Sequence, residues 1–296
     1  MAIGFAFLAA CCWGTAAVLV RLGLRRMHST TGTLISLVVS FLLVMALALI
    51  FNFHDLRVIP AIAFAWLALQ GVLNFVVGRF FNMTGVSLAG ASRATPIIAV
   101  SPLFAAVFAF LFLGERPTVL LIFGTLGIIA GVGLIVSESL QDSARSGTAG
   151  RKVLLGSLFA LGAAIGYGAN NVVTKEVVSN YTTPLVAASM SLLFGTIYLF
   201  PMALRSLPEL KRVPGIDIRF VALSGVVQGV GVTAMFFALS KAPVVVAAPI
   251  GSMNPLVALT LAHLFLKRLE RVTARIVVGT LLVVGSVVLV ILGRNL

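Results

Sequence analysis

The amino-acid sequence predicts an all-α membrane protein, with ten transmembrane helices arranged as two inverted five-helix repeats. Three observations carry this. Only 10% of the 296 residues are charged while 60% are hydrophobic, and the mean hydropathy is +1.15. A soluble domain of this size needs about 25% charged residues to cover its surface. Apolar runs of about 20 residues recur along the whole length, each long enough to cross a hydrocarbon core of roughly 30 Å. Finally, a set of short motifs occurs twice, in the same order and at a nearly constant offset.

The predicted spans are 3–20, 30–51, 61–82, 91–113, 118–137, 154–174, 182–204, 218–239, 243–266 and 272–292. In span 1, Leu8-Ala9-Ala10-Cys11 resembles a lipoprotein cleavage box, but no Lys or Arg precedes it, so a signal peptide's basic region is missing and an uncleaved span is expected. Cys11 and Cys12 sit inside that span and are expected to be small packing residues. Span 5 carries Gly127 and Gly131 as a GxxxG pair flanked by Gly124 and Gly133, and span 10 offers Gly279, Gly285 and Ser286. Small faces let helices approach closely in lipid, so these two spans are expected to be scaffold. Connections are short, the longest being Glu138–Val153 and Arg205–Asp217. Residues 138–152 are small, polar and loop-like. The expected organisation is therefore a first repeat at 1–137, a connecting loop at 138–153 and a second repeat at 154–296.

The formal net charge of +13 does not signal nucleic acid in this setting. Lys and Arg collect on one side of a membrane protein and set its orientation. The connections after spans 1, 3, 5, 7 and 9, with the span ends beside them, hold 16 of the 21 cations, and the other side, including both termini, holds 5. This bias places both termini outside the cytoplasm of an inner (cell) membrane.

The repeat is read from four anchors. Trp13-Gly14-Thr15 matches Tyr167-Gly168-Ala169, 154 residues on. Gln70-Gly71 and Asn74 match Ser224-Gly225 and Gln228, again 154 on. Pro96 and Pro102 match Pro249 and Pro255, 153 on. Gly124-Thr125-Leu126 matches Gly279-Thr280-Leu281, 155 on. Because five spans is an odd number, the second copy enters the membrane from the opposite side. Inverted repeats of this kind build secondary transporters whose substrate site lies near the midplane between the halves. Proline removes a backbone donor and clashes with the carbonyl four residues earlier. Pro96, Pro102, Pro249 and Pro255 are therefore expected to bend spans 4 and 9 beside a central cavity, where a freed carbonyl can be satisfied.

The two halves resemble the EamA-type members of the drug/metabolite transporter superfamily. The resemblance rests on the aromatic-Gly pairs Trp13-Gly14 and Tyr167-Gly168, on Ser101-Pro102 and Asn254-Pro255, and on Leu113-Gly114-Glu115 at the end of span 4. The second copy departs at this last motif, reading Leu266-Lys267-Arg268-Leu269-Glu270. The resemblance covers nearly the whole chain and implies a ten-helix exporter or carrier of small metabolites, with a cavity walled by spans 1, 3, 4, 6, 8 and 9. Amino-acid exporters of the YddG type are the expected neighbours. Such carriers are often drawn with their termini inside the cell, against the charge bias.

Polar groups at mid-span are expensive in lipid and should face the interior. The expected substrate contacts are Trp13, Gln70, Asn74, Arg79, Asn82, Tyr167, Asn170, Asn171, Gln228, Ser252, Met253 and Asn254. A spacing of four puts Asn74 on the face of Gln70, whereas Asn82 is rotated by about 80° from Asn74 in a regular α-helix. Arg79 and Arg93 lie near the turn between spans 3 and 4, where each can either snorkel to the surface or present a cation to a carboxylate-bearing solute.

All eight acidic residues fall in predicted loops or at helix ends, and only His263 of the histidines lies within a span. No intramembrane proton relay, metal-ligand cluster, phosphate loop or nucleophile constellation is present in the sequence. The chain is therefore expected to be no enzyme, to use no cofactor or metal, and to move solute by facilitated transport or exchange. The rival class is an intramembrane enzyme or lipid-handling protein using the same cavity. The expected partners are a small-molecule substrate and the lipid bilayer, without nucleic acid, and the expected state is a monomer.

Overall fold

The computed structural model describes residues 1–24, 26–89, 94, 97, 98, 100–115, 118–120, 122–124, 126, 127, 130, 131, 134, 148–254, 257, 261 and 274–292. The described chain is helical. In order, the elements are α1 (Ala2–Gly23), α2 (Ser29–Phe51), α3 (Phe53–Arg57), α4 (Ala61–Gly71), a π-helical segment (Val72–Phe80), α5 (Phe81–Ala89) and α6 (Ser101–Leu113). They continue with α7 (Thr148–Asn180), α8 (Pro184–Ala203), a 3₁₀ turn (Leu207–Arg212), α9 (Gly215–Lys241), α10 (Val244–Gly251) and α11 (Ala274–Leu292). Among the described residues six helices are long and apolar enough to cross a membrane, with Ala61–Ala89 counted as one. Spans 4, 5, 9 and 10 fall partly outside the described residues, and so does His263.

Two boundaries differ from the sequence expectation. α7 starts at Thr148, inside the segment expected to be loop. Ala149, Arg151 and Lys152 favour helix, so its first turns continue beyond the apolar stretch. The third span runs to Ala89, seven residues past its expected end. Arg79 is therefore ten residues from the helix terminus, about 15 Å at 1.5 Å per residue.

Hydroxyl residues sit inside these helices without cost to the lipid phase because they bond back to the helix. Thr15, Thr33, Ser40, Thr174, Thr196 and Thr233 each donate to the carbonyl four residues earlier, at 2.7–2.9 Å.

Glycines set how close the helices come. α1 packs along α9, and α7 packs along α5 and the π segment. α1 also meets α10, α7 meets α6, and α2 lies between α8 and α9. A Cβ on Gly225 would sit 2.5 Å from the Ser36 carbonyl, and one on Gly168 would sit 2.8 Å from the Ala105 amide nitrogen. These are backbone-to-backbone approaches that no side chain can share. Gly127 faces the Ser286 hydroxyl, so spans 5 and 10 meet there, while Gly285 has open space around it. The main pairings of the two sets correspond when span 1 is exchanged with 6, 2 with 7, 3 with 8 and 4 with 9: 1 packs on 8 as 6 on 3, 2 on 8 as 7 on 3, and 1 on 9 as 6 on 4, whereas span 7 meets 8 and span 6 meets 8 with no equally close counterpart among the described residues.

Pro102 does something other than bend a continuous helix. Pro96 and Pro255 lie outside the described residues. Pro102 is the second residue of α6, where a missing N–H has no intrahelical partner to lose. It opens a helix instead of kinking one. Just before it, the Val100 amide donates to the Ile97 carbonyl at 3.1 Å. Pro249 lies inside α10, which ends two residues later at Gly251. There the Met253 amide donates to the Ile250 carbonyl at 3.2 Å. Ile97–Val100 and Ile250–Met253 are thus the same tight turn, 153 residues apart.

Gly114 ends α6 with φ +68°, the left-handed conformation that glycine adopts without a Cβ clash. The chain reverses there and aims Glu115 at the start of α10. Its carboxylate accepts from the Val244 and Val245 amides at 3.0 and 3.2 Å. Lys175 holds the end of α9 from the other side, donating to the Leu239 and Ala242 carbonyls at 2.8 and 3.1 Å.

Candidate functional site

The site is built where span 3 loses its regular α geometry. The π segment Val72–Phe80 holds Asn74, Gly78 and Arg79. π turns inside α-helices are frequent at functional sites because they re-aim the side chains that follow. The matching span 8 is α-helical over all 27 residues of Gly215–Lys241, so this interruption belongs to one half alone.

Arg79 does not snorkel. It is 6% exposed, and its Nη2 donates to the Ser36 hydroxyl on α2 at 2.9 Å. Among the described residues no carboxylate lies within ion-pair distance of it. The Ser36 hydroxyl in turn donates to Gln228 Oε1 on α9 at 3.3 Å. A charged group from span 3 is thus joined, through span 2, to a polar group of span 8. Arg93 lies outside the described residues.

Beside Arg79, Gly78 receives the ring of Tyr167. A Cβ on Gly78 would sit 2.5 Å from Tyr167 Cε1. The Tyr167 hydroxyl accepts from Asn82 Nδ2 at 3.5 Å. The rotation expected for Asn82 from a regular α-helix does not apply here. Asn82 touches Tyr167 because the intervening π turn changes the phase of the helix, which a uniform 3.6-residue repeat does not allow for.

A second polar cluster lies deeper between spans 3 and 6. Gln70 is fully buried and donates through Nε2 to Thr174 Oγ1 at 2.6 Å, and that hydroxyl donates to the Asn170 carbonyl at 2.7 Å. Gln70 Oε1 and Asn170 Oδ1 are buried without a partner among the described residues. On α7, Tyr167, Asn170 and Thr174 recur at helical spacing, so one polar stripe serves both clusters.

The chain matches the EamA-like transporter family over residues 1–137 and again over residues 154–292. It belongs to that family. The protein is accordingly a multi-pass membrane transporter. An uncharacterized transporter of Clostridium kluyveri is 24% identical over 226 residues, which cover 75% of this chain and 71% of that one. A solved crystal structure superposes with a TM-score of 0.75 at 18% identity, covering 99% of this chain and 98% of its own. At that identity the likeness speaks for the fold alone.

The remaining predicted residues of this EamA-like transporter lie around the two turns and the α1–α9 seam. Trp13 packs between α9 and α10: a Cβ on Gly231 would meet its Nε1 at 3.0 Å, and one on Gly251 its Cζ3 at 3.4 Å. Ser252, Met253 and Asn254 are half-buried just past α10, and the Ser252 hydroxyl donates to the Pro249 carbonyl at 2.6 Å. Asn74 and Asn171 are half-buried on the π segment and α7. The structure thus brings Arg79, Gln228, Asn82 and Tyr167 into one linked group and Gln70 and Asn170 into another. Among the described residues no hydrogen bond joins Trp13 or the 252–254 turn to either group. Ser36, Thr174 and Lys175 were missed in the sequence, and Glu115 was read only as part of a family motif. Ser36 and Ser40, spaced by four in an apolar span, and Thr174, four after Asn170, were the available signals.

Proposed function

We propose that this transporter exports or exchanges small metabolites, such as amino acids, by alternating access across the inner membrane. It works as a carrier and a monomer, not as an enzyme, and with no cofactor. The observation that carries the reading is the hydrogen-bond chain Arg79–Ser36–Gln228, which links polar groups of both halves inside the membrane. Its two halves, residues 1–137 and 154–296, are read as inverted repeats. The correspondence of the main helix pairings and the matched turns at Val100 and Met253 support this. Discontinuous helices around a midplane site are how such carriers expose a solute to one side at a time.

Among the described residues, Asp55, Glu115, Glu176, Glu209 and Asp217 all lie in connections or near helix ends. We therefore read the coupling as the solute's own gradient. In proteoliposomes, preloaded amino acid should exchange with external labelled amino acid, and an imposed pH gradient should not concentrate it. Uphill accumulation that collapses with a protonophore would overturn the coupling. Absence of exchange across a panel of amino acids and other small metabolites would overturn the carrier reading. The charge bias places the termini outside the cytoplasm. A cysteine beside Arg294 should then react with impermeant reagent in intact cells, and protection there would reverse the orientation.

A further inference from the structure

We propose that Arg79 is the docking group for a carboxylate on the transported solute, received by a set of donors drawn from both halves. The inference rests on the carrier reading above and adds the substrate class to it.

The first ground is charge. Arg79 is 6% exposed, and among the described residues its only hydrogen-bond partner is the neutral Ser36 hydroxyl. A guanidinium carries five donors in a planar fork that matches a carboxylate edge-on. A buried charge is strongly unfavourable without an opposite charge, so an ionisable group at this depth marks a functional site whose counter-ion must be sought. The fold supplies no counter-ion here among the described residues, and an incoming anion would.

The second ground is hydrogen-bond polarity. The Ser36 hydroxyl accepts from Arg79 and donates its proton to Gln228 Oε1. That turns the Gln228 side-chain oxygen toward Ser36 and leaves its amide N–H groups to donate. The Tyr167 hydroxyl accepts from Asn82 Nδ2, which leaves its own proton to donate. Around Arg79, Gln228 and Tyr167 thus keep protons to donate. Gln228, Asn82 and Tyr167 are half-buried, so this donor set is not sealed inside the helix packing. The π segment carries Arg79 to this place, and Gly78 leaves room for the Tyr167 ring beside it.

The third ground is charge balance. One buried cation is neutralised by one negative charge. A monocarboxylate leaves the occupied site neutral and a zwitterionic amino acid leaves its charge unchanged, whereas a phosphate dianion leaves a buried excess of one negative charge and a cationic solute adds to the positive one. A solute with a singly charged carboxylate group is therefore the class that fits.

The test compares L-amino acids and simple monocarboxylates with their carboxamides, which keep the shape and lose the carboxylate charge, together with inorganic phosphate. Two readouts separate this inference from the carrier reading. Thermal stabilisation of the detergent-purified protein reports the docking site alone, and exchange in proteoliposomes reports transport. At least one acid should stabilise the protein, with its carboxamide weaker by about tenfold or more, since a site built for a polar partner rejects an analogue lacking it. Arg79→Gln should bring acid and carboxamide within about twofold of each other, and Tyr167→Phe should weaken the acid alone, by a smaller factor. If acids bind selectively and nothing is exchanged, the docking site stands and the carrier reading fails. If carboxamides are exchanged as fast as acids, or no acid stabilises the parent protein more than its carboxamide, the inference fails and the carrier reading stands on its exchange result. Stronger stabilisation by phosphate than by every acid would also overturn it. The parent protein alone decides these outcomes, so a variant that does not fold leaves the test intact.

Discussion

Gly225→Leu is expected to remove most folded protein, while Gly4→Leu is expected to leave yield unchanged. Both put the same side chain into an apolar helix, so propensity and lipid solubility are nearly matched. They differ in what they meet. A Cβ added at Gly4 would have nothing within 4 Å, whereas one added at Gly225 would lie 2.5 Å from the Ser36 carbonyl and 2.9 Å from Val39 Cβ. The Gly225 carbonyl also accepts from the Ser40 hydroxyl at 2.6 Å, so the contact is a bonded seam between α2 and α9. Overpacking typically costs about 1–3 kcal/mol and more where backbone must move, against a total stability of about 5–15 kcal/mol. Separating these helices also pulls Ser36 from Gln228. Gln228→Ala is the complementary case. It removes a 3.3 Å neutral hydrogen bond at a half-buried position, on the order of 1 kcal/mol, so folding should survive while transport falls. Fluorescence-detected size exclusion of the three variants checks this. Equal profiles for Gly225→Leu and Gln228→Ala would remove the distinction between seam and site.

Pro102→Ala is expected to leave insertion and folding intact and to lower transport by an order of magnitude or more. Pro102 opens α6 immediately after the Ile97–Val100 turn. Alanine restores the backbone donor and has the highest helix propensity, and removing a proline from what becomes a helix interior is worth about 3 kcal/mol. A bias of that size shifts a two-state equilibrium by roughly a hundredfold. If transport needs the break in span 4, the variant holds the protein in one arrangement. Steady-state exchange in proteoliposomes at equal protein content measures it, and a parent rate would mean that the turn is tolerated and unused.

The fold was largely legible because lipid constrains sequence severely. A span must be apolar for about 20 residues, and a repeat at 153–155 residues leaves its anchors in place. The site was legible only as a set of polar residue types. Gln70, Asn82, Tyr167 and Gln228 stood out because amides and phenols are costly in lipid. Their partners Ser36 and Thr174 did not, because a hydroxyl can satisfy itself on its own helix. The burial of Arg79 was hidden by two facts that no local pattern contains: the third span continues to Ala89, and a π segment re-aims it. The role of Pro102 was misjudged for a related reason. A proline signals a missing donor, but whether it kinks a helix or begins one depends on where the helix starts. Glu115 was noticed as part of a motif, and its cap on α10 required the tertiary approach of the two halves.

Alternating access around a site shared by both halves is tested most directly at the turn after α10. Ser252→Cys, in a chain whose free Cys11 and Cys12 are replaced by Ala, places one thiol at the half-buried residue that follows Gly251. Right-side-out and inside-out vesicles are then treated with an impermeant thiol reagent, with and without a saturating exchanged solute. Labelling is expected from both sides in the parent, slowed by solute, and from mainly one side in Pro102→Ala. Labelling from a single side under every condition, with the same pattern in both chains, would rule out alternating access at this site.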